Sequence, residues 1–319
     1  MTAPVTIIIP SYDDRDLLAE QLPGLCAELE RRGALDEVLV VDDGAGGLDA
    51  WLAEQDLCCV HCLALERNAG FAAAVAAGVQ AARHDLVFLM NPDVRPRPGF
   101  LEPLIDALAD PAIAAAAPYV LLGGDRAGEE SLSRLGWRRG FPVMELADHD
   151  FEPGADTEPL AAAFALGGAS LWRRADLLGD GAFDPLFAPF YWEDVDRSWR
   201  AWRAERRVVV CPQSVVEHHH RGTIGRAVPA ELVRAAIEKN RLLFTWKHVD
   251  DDERLTEHIA ALHSRLLSAA AREDRESLVW LCLALEELDA AVAARKQLPR
   301  ASHAFDELRR ISDASPHAD

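Results

Sequence analysis

The first part of the chain alternates short, nearly continuous apolar runs with longer stretches whose apolar residues recur at helical spacing. A continuous apolar run is typical of a strand that is buried on both faces of a parallel sheet. The runs that predict strands are Val5–Ile9, Val38–Val41, Val60–Leu65, Leu86–Met90 and Ile113–Leu122. Between them, helices are predicted from Leu17 to Leu29, closed by Gly33, and from Phe71 to Ala82. This order predicts an α/β fold with a doubly wound, mostly parallel sheet.

The pattern changes after the fifth strand. Residues 123–170 are rich in Gly, Asp and Glu and predict loops and antiparallel strands. A helix over Glu193–Arg206 and a strand over Val208–Val210 follow, and from Pro229 onward the spacing is helical with breaks near Asp250 and Pro299. We therefore expect an α/β domain over 1–228, with halves at about 1–122 and 123–228, and a helical C-terminal extension over 229–319. Its last residues, Ser312–Asp319, predict a disordered tail.

The net charge of the chain limits the classes of partner that we expect it to bind. The 319 residues include 33 Lys and Arg against 53 Asp and Glu, a formal net charge of -20. Such a field repels nucleic acid, so we expect no nucleic-acid partner. The sequence has neither a secretory leader pattern nor an apolar run long enough to span a membrane. We expect a cytoplasmic protein, and a peripheral contact with the inner membrane face stays open.

Polar groups follow the predicted strands, and in a doubly wound sheet ligands bind beyond the carboxyl ends of the strands. Each group has an ordinary explanation as a turn or a helix cap. Each also has a ligand-binding one: an aromatic face for a base or sugar, a carboxylate for ribose or a base, a helix N-terminus for an anion, and a carboxylate for a divalent metal. The groups are Pro10-Ser11-Tyr12, Asp42-Asp43-Gly44, Asn68-Ala69-Gly70-Phe71 and Asn91-Pro92-Asp93.

Two further groups lie downstream. Glu193 and Asp194 follow Tyr191 and Trp192. Adjacent, partly buried acids suit general-base chemistry, although acids are also favoured in the first turn of any helix. The second group is the run of three histidines that begins at His218, of which one or two could bind a metal.

Together these groups resemble family 2 glycosyltransferases, especially the bacterial rhamnosyltransferase-like and galactofuranosyltransferase-like branch. The resemblance covers about residues 4–225. It is carried, in order, by the four strand-end groups above, by Gly167-Gly168-Ala169 with Arg173-Arg174, by Phe183, by Trp192-Glu193-Asp194 and by His218.

The resemblance implies a GT-A fold, Rossmann-like, in which residues 1–122 bind the nucleotide-diphosphate sugar donor and residues 123–228 bind the acceptor. It implies an inverting transfer with Mg²⁺ or Mn²⁺ as cofactor. The implied donor-binding residues are Pro10, Ser11, Tyr12, Asp42, Asp43, Asn68, Gly70, Phe71, Asn91 and Asp93. Asp93 and His218 would bind the metal, Trp192 and Gly168 would contact the acceptor, and Asp194, with Glu193 beside it, would be the catalytic base.

One departure affects the metal. Asn91 stands where the family's Asp-x-Asp motif has its first acid, so strict metal dependence is an open question.

By resemblance the donor is a dTDP- or UDP-sugar, and the acceptor is a hydroxyl of a glycan, a lipid-linked intermediate or a small molecule. A nucleotidyltransferase is disfavoured, because its glycine-rich basic loop is missing after the first strand; a non-catalytic scaffold would have no use for Asp93, Asp194 and His218. The C-terminal helices either pack on the α/β domain or form a homodimer interface or acceptor platform.

Overall fold

In the computed structural model, residues 3–33, 35–123, 128–179, 181–219, 228–275 and 278–298 are described. The strands are β1 (Val5–Ser11), β2 (Glu37–Asp42), β3 (Val60–Ala64), β4 (Leu86–Met90), β5 (Val94–Pro96), β6 (Ile113–Leu122), β7 (Ser133–Arg138), β8 (Phe141–Leu146), β9 (Leu160–Ala161), β10 (Ala169–Arg173) and β11 (Arg207–His218). The helices are α1 (Arg15–Arg32), α2 (Leu48–Ala53), α3 (Phe71–Ala81), α4 (Leu101–Ala107), α5 (Arg174–Gly179), α6 (Glu193–Arg203), α7 (Ala230–His248), α8 (Asp252–Ala271), α9 (Val279–Glu286) and α10 (Leu288–Gln297), with a 3-10 helix at Pro185–Phe187.

The central sheet has the order β3-β2-β1-β4-β10-β6-β11-β5, and β9 pairs with β11. Neighbours among the first four strands in this order are parallel, as the apolar runs predicted. Their carboxyl ends therefore meet at one edge. Strand β10 then enters antiparallel to both β4 and β6, so the second half of the sheet is mixed. The predicted α/β class is confirmed. The predicted strand-end residues lie at the edge of the sheet where the carboxyl ends of the parallel strands meet.

Strand β11 is longer than its sequence pattern predicted. We expected Val208–Val210, but the strand runs from Arg207 to His218. Pro212 and the polar residues after it resemble a strand end. The strand does not end there: residues 212–214 form an irregularity between Cys211 and Val215, and pairing with β6 continues from Val215 to His218. The extension matters because it places His218 in the sheet, paired with both β5 and β6.

Helix α7 shares the core of the sheet domain. Its Leu242, Leu243 and Phe244 are fully buried and belong to the same apolar cluster as Trp192 and Trp199. The predicted break near Asp250 is confirmed between α7 and α8, whereas the break near Pro299 and the tail Ser312–Asp319 lie outside the described residues. In the described ranges, no helix combines the length and apolar character that a membrane crossing needs.

Candidate active site

The ends of β1 and β2 form the first part of the site. Ser11 and Asp42 are register partners, and the Asp43 N–H donates to the Ser11 carbonyl over 2.9 Å. Pro10 is buried, and Tyr12, beyond the strand, keeps 41% of its surface exposed. The Ser11 hydroxyl is buried and has no hydrogen-bond partner among the residues that the structure describes. A buried hydroxyl without a partner is costly unless something binds it, which is an argument for a polar ligand at this edge.

The neighbouring carboxylates of Asp42 and Asp43 accept hydrogen bonds from different segments of the chain. The Asp42 carboxylate accepts from the N–H groups of Ala45 (3.0 Å), Gly46 (3.2 Å) and Leu48 (3.4 Å), so it shapes the loop that leads into α2. The Asp43 carboxylate accepts from Ala69 at 2.7 Å and Gly70 at 2.9 Å. Asp42 therefore holds its own turn, whereas Asp43 joins two strand-end groups that are far apart in sequence. Donor binding by both residues stays a prediction.

The start of α3 is set by Asn68 and Gly70. The Asn68 side chain accepts from the Gly70 N–H at 3.1 Å. Gly70 has φ 85° and ψ 165°, a backbone conformation that residues with a Cβ rarely adopt. Helix α3 then begins at Phe71 with free N–H groups at its N-terminus, which favour an anion. This helix start is suited to a diphosphate.

Gly167 and Gly168 form a strip that contacts both the end of β4 and the start of α6. On one side, the Asn91 N–H donates to the Gly168 carbonyl over 2.9 Å. On the other, the Gly167 N–H donates to the Asp194 carboxylate over 3.1 Å. A Cβ on Gly167 would lie 3.4 Å from both Asp194 and Phe71. The strip therefore brings the donor-side residues and the predicted base within van der Waals reach of one wall.

Gly168 offers a direct test of this packing. A Cβ there would lie 2.2 Å from the side-chain nitrogen of Asn91 and 2.3 Å from its Cγ. We expect Gly168→Ala to expel the Asn91 amide and lower the free energy of unfolding by about 1–3 kcal/mol, the usual cost of overpacking. Denaturant unfolding measures the loss. The matched control is Gly179→Ala, where no described atom outside the chain neighbours and the helix's own backbone lies within 4 Å of the new methyl group. Equal stabilities of the two variants would contradict the close approach.

Asp93 and His218 form the predicted metal pair. His218 Nε2 lies 3.3 Å from Asp93 Oδ1, and its Nδ1 lies 3.0 Å from a Glu130 oxygen. Asp93 is buried at 2% exposure. Burial lowers the pKa of His218, but the hydrogen bonds and charges of Asp93 and Glu130 outweigh it and raise that pKa to about 9. A protonated ring balances the charge of only one ionised carboxylate, so it does not neutralise both.

The pair fits a divalent ion. Two adjacent ligands of an octahedral ion, each about 2.1 Å from it, lie about 3 Å apart. The Asp93–His218 separation of 3.3 Å matches this spacing. No group of three or more His, Cys, Asp or Glu side chains arranged for a metal occurs within the described residues. Two protein ligands require substrate oxygens and water to complete the shell, which is usual for Mg²⁺ beside phosphates. His220 and the residues up to 227 lie outside the described part of the chain.

Glu193 and Asp194 begin α6. Burial, and then the charge of Asp194, raises the pKa of Glu193 to about 8. Burial also raises the pKa of Asp194, but N–H donors from Gly167 at 3.1 Å and Val195 at 2.8 Å oppose the rise. Hydrogen bonds to an anion favour its charged form. We expect Glu193 to retain a proton near neutral pH, while the pKa of Asp194 is also raised, with burial as the larger cause and the two N–H donors opposing it.

Trp192 has a different environment from the one its sequence context suggested. Its indole is 2% exposed and packs on Phe244 of α7, with ring centroids 5.2 Å apart. Its neighbour Tyr191 is 40% exposed. Contact of Trp192 with an acceptor stays a prediction.

Sequence reasoning missed the part that Glu130 and Gly167 take in the site. A paired Gly-Gly before a strand is a usable sequence signal for Gly167, whereas Glu130 lies in an acidic loop and has none.

Comparison with known proteins identifies the class. The family model described as glycosyl transferase family 2 matches residues 6–177, more than half of the chain. The chain belongs to this family. The pre-mycofactocin glycosyltransferase of Mycobacterium tuberculosis strain H37Rv is 30% identical over 228 residues, which are 68% of this chain and 43% of that protein. The chain therefore spans less than half the length of this relative.

Solved structures give the fold. GalNAc-T7 with UDP, GalNAc and Mn²⁺ matches with a TM-score of 0.62 at 18% identity, over 94% of this chain and 59% of that one. Residues 1–349 of S. aureus TarS with UDP-GlcNAc match with a TM-score of 0.55 at 15% identity, over 98% and 91%. The fold is GT-A, with C-terminal helices added.

Proposed function

We propose that this chain is an inverting glycosyltransferase that moves a sugar from a nucleoside-diphosphate donor to an acceptor hydroxyl. The observation that carries the proposal is the Gly167–Gly168 strip. The Asn91 side chain packs on Gly168, and the Asp194 carboxylate accepts from the Gly167 N–H. A donor at the strand ends and a base at the start of α6 would then share one wall, as an in-line displacement at a sugar carbon requires.

In this mechanism, the acceptor hydroxyl gives its proton to Asp194 while it attacks the anomeric carbon from the face opposite the leaving group. The nucleoside diphosphate gains negative charge as the glycosidic bond breaks. The Phe71 ring, at the start of α3, lies beside Gly167, and the N–H groups of this helix start would stabilise that charge. Asp93 and His218 would hold Mg²⁺ or Mn²⁺, which supplies positive charge to the diphosphate when bound.

For the donor we propose a dTDP- or UDP-sugar, with Tyr12 and Asp43 in the nucleotide pocket, and we assign the chain to the rhamnosyltransferase-like and galactofuranosyltransferase-like branch. Two structural neighbours bind UDP or UDP-GlcNAc, which supports a UDP-sugar. The acceptor would be a glycan, a lipid-linked intermediate or a small molecule in a bacterial cytoplasm. A lipid-linked acceptor would bring the enzyme to the inner membrane face.

A thermal-shift panel tests the donor site. UDP, dTDP and GDP are each added with and without Mn²⁺ to the wild type and to Asp93→Ala. A ligand that binds only the folded state raises the melting temperature by mass action. We expect one nucleotide to give a shift that depends on Mn²⁺ in the wild type and to lose that dependence in the variant. The same shift in Asp93→Ala would contradict the metal role. The absence of any shift would contradict nucleotide binding.

A homodimer through the C-terminal helices is the part of the proposal that concerns assembly. Helices α8 and α9 expose large apolar side chains, including Ile259 (66%), Leu267 (56%) and Leu285 (51%). We expect light scattering of the full chain to give the mass of two chains, and the double variant Ile259→Glu, Leu267→Glu to give the mass of one. Leu178→Glu, an exposed apolar residue on α5, is the control. A monomeric wild type would contradict the dimer.

A further inference from the structure

Helix α7 holds the segment that leads into Glu193 and Asp194. The side-chain nitrogen of Asn240 lies 2.6 Å from the carbonyl oxygen of Phe187, 2.9 Å from that of Phe190 and 2.8 Å from that of Tyr191. Asn240 is fully buried. The two N–H groups of this amide are thus shared among three carbonyls of a short loop, and only a donor can satisfy that arrangement.

Two lysines of α7 make three more polar contacts with this segment and the elements on either side of it. Lys239 donates to the carbonyl of Ala188 over 2.5 Å. Lys247 contacts Asp184 at 2.7 Å and Asp196 at 2.5 Å. These contacts lie before, on and after the loop that joins the 3-10 helix to α6. The loop can therefore not move without breaking buried polar contacts with α7.

The backbone that α7 holds is strained. Tyr191 and Trp192 have φ angles of 69° and 75°, in the left-handed region that residues with a Cβ seldom occupy. Two such residues in succession persist only where surrounding contacts determine the conformation. Asn240 bonds the carbonyl of the first, and Phe244 packs on the indole of the second. The two acids of α6 follow directly in the chain.

We propose that Asn240 is a positioning residue: by holding the carbonyls of Phe187, Phe190 and Tyr191 it fixes the strained turn that aims Asp194 at the sugar-transfer site. The inference rests on the proposed function in one respect, the use of Asp194 as the base. It adds that α7, outside the segment matched by the family model, is a working part of the active site.

Asn240→Leu removes the donor at nearly constant volume. Hydrogen exchange measured by mass spectrometry reports on the turn directly, and steady-state kinetics report on the chemistry. We expect the amides of residues 187–194 to exchange at least tenfold faster, with β1 and β4 unchanged. We expect kcat to fall about 30-fold, while the donor KM and the affinity for the nucleoside diphosphate stay within twofold, because the Asn240 amide bonds residues 187–191 of the turn. Turnover is followed as release of the nucleoside diphosphate from UDP-glucose, UDP-N-acetylglucosamine, dTDP-rhamnose and GDP-mannose.

Thr245→Val is the matched control. Thr245 is also fully buried on α7, but its hydroxyl donates only within the helix, to the Arg241 carbonyl over 2.8 Å. We expect it to lower the melting temperature without changing exchange at 187–194 or kcat. Lys239→Met, which removes one contact, should act like Asn240→Leu with a smaller effect and serves if Asn240→Leu does not fold.

The outcomes separate the two ideas. Unchanged exchange at 187–194 and an unchanged kcat in Asn240→Leu or Lys239→Met would overturn the positioning role while the proposed function stands. A wild type that turns over none of the four donors would count against the proposed function, and the exchange measurement would still decide whether Asn240 holds the turn.

Discussion

Asp194→Asn is expected to lower kcat by about 10²–10⁴-fold, the usual contribution of a general base. The Gly167 and Val195 N–H groups donate to different oxygens of Asp194, so the amide can accept from only one of them. Some stability should be lost, while the nucleotide affinity should persist. What is lost is the lone pair that takes the acceptor proton. The measurement is kcat at several pH values together with nucleotide affinity. Full activity in Asp194→Asn would rule out this residue as the base.

Glu193→Gln distinguishes the two acids. Because Glu193 is expected to be neutral near pH 7, its amide analogue should keep activity within about tenfold at that pH, an effect far below that of losing the base. A larger loss in Glu193→Gln than in Asp194→Asn would exchange their roles.

Stability gives an independent check on Glu193. Its pKa is raised from 4.5 to about 8, so between these values the folded state binds more protons than the unfolded state. Stability from this group is therefore present below pH 4.5 and is lost as pH rises toward 8. Glu193→Gln removes that loss, so its melting temperature should exceed that of the wild type by a margin that grows with pH.

Asp196→Ala is expected to lower the free energy of unfolding by about 3–5 kcal/mol, the cost of leaving buried charges unpaired. Asp196 is fully buried and joins α6 to α7 through Lys247 (2.5 Å) and His248 (2.7 Å). It also pairs with Arg200 at 3.0 Å. Removal of its carboxylate leaves two cations and an imidazole without their shared partner. Denaturant unfolding near pH 7 measures the loss.

Asp250→Ala is the control. Its contact with Arg203 spans 3.4 Å and its side chain is 53% exposed, so the change should cost less than about 1 kcal/mol. Equal losses in the two variants would contradict a buried anchor at Asp196.

The pH dependence has a definite sign. Although burial disfavours its charge, hydrogen bonding to His248 and the charges of its basic neighbours lower the pKa of Asp196, so its stabilisation is present above pH 3.8 and is lost as pH falls through the lowered value. Burial lowers the pKa of His248 from 6.5 to about 4. The folded state therefore binds fewer protons at His248, and this stability is lost as pH falls from 6.5 to 4. Both groups make the junction of α6 and α7 sensitive to acid.

The local sequence pattern was sufficient to predict the ends of a strand where the strand is buried on both faces and ends in a turn. Strands β4 and β6 begin and end where the apolar runs do, and α1 closes at Gly33, whose φ of 64° stops the helix. The sequence pattern was insufficient to predict the end of β11. There Pro212 reads locally as a strand end, and only pairing with β6 on both sides of the irregularity shows that the strand continues.

The sequence by itself determined the parallel first half of the sheet and the set of strand-end residues, because apolar periodicity and turn residues act over short distances. The tertiary structure decided which of those residues meet. It joined Asp43 to the start of α3, His218 to Asp93, and Asn91 to Asp194 across two glycines. It also decided that α7 packs into the core of the sheet domain, since contacts between distant segments follow from packing and carry no local pattern.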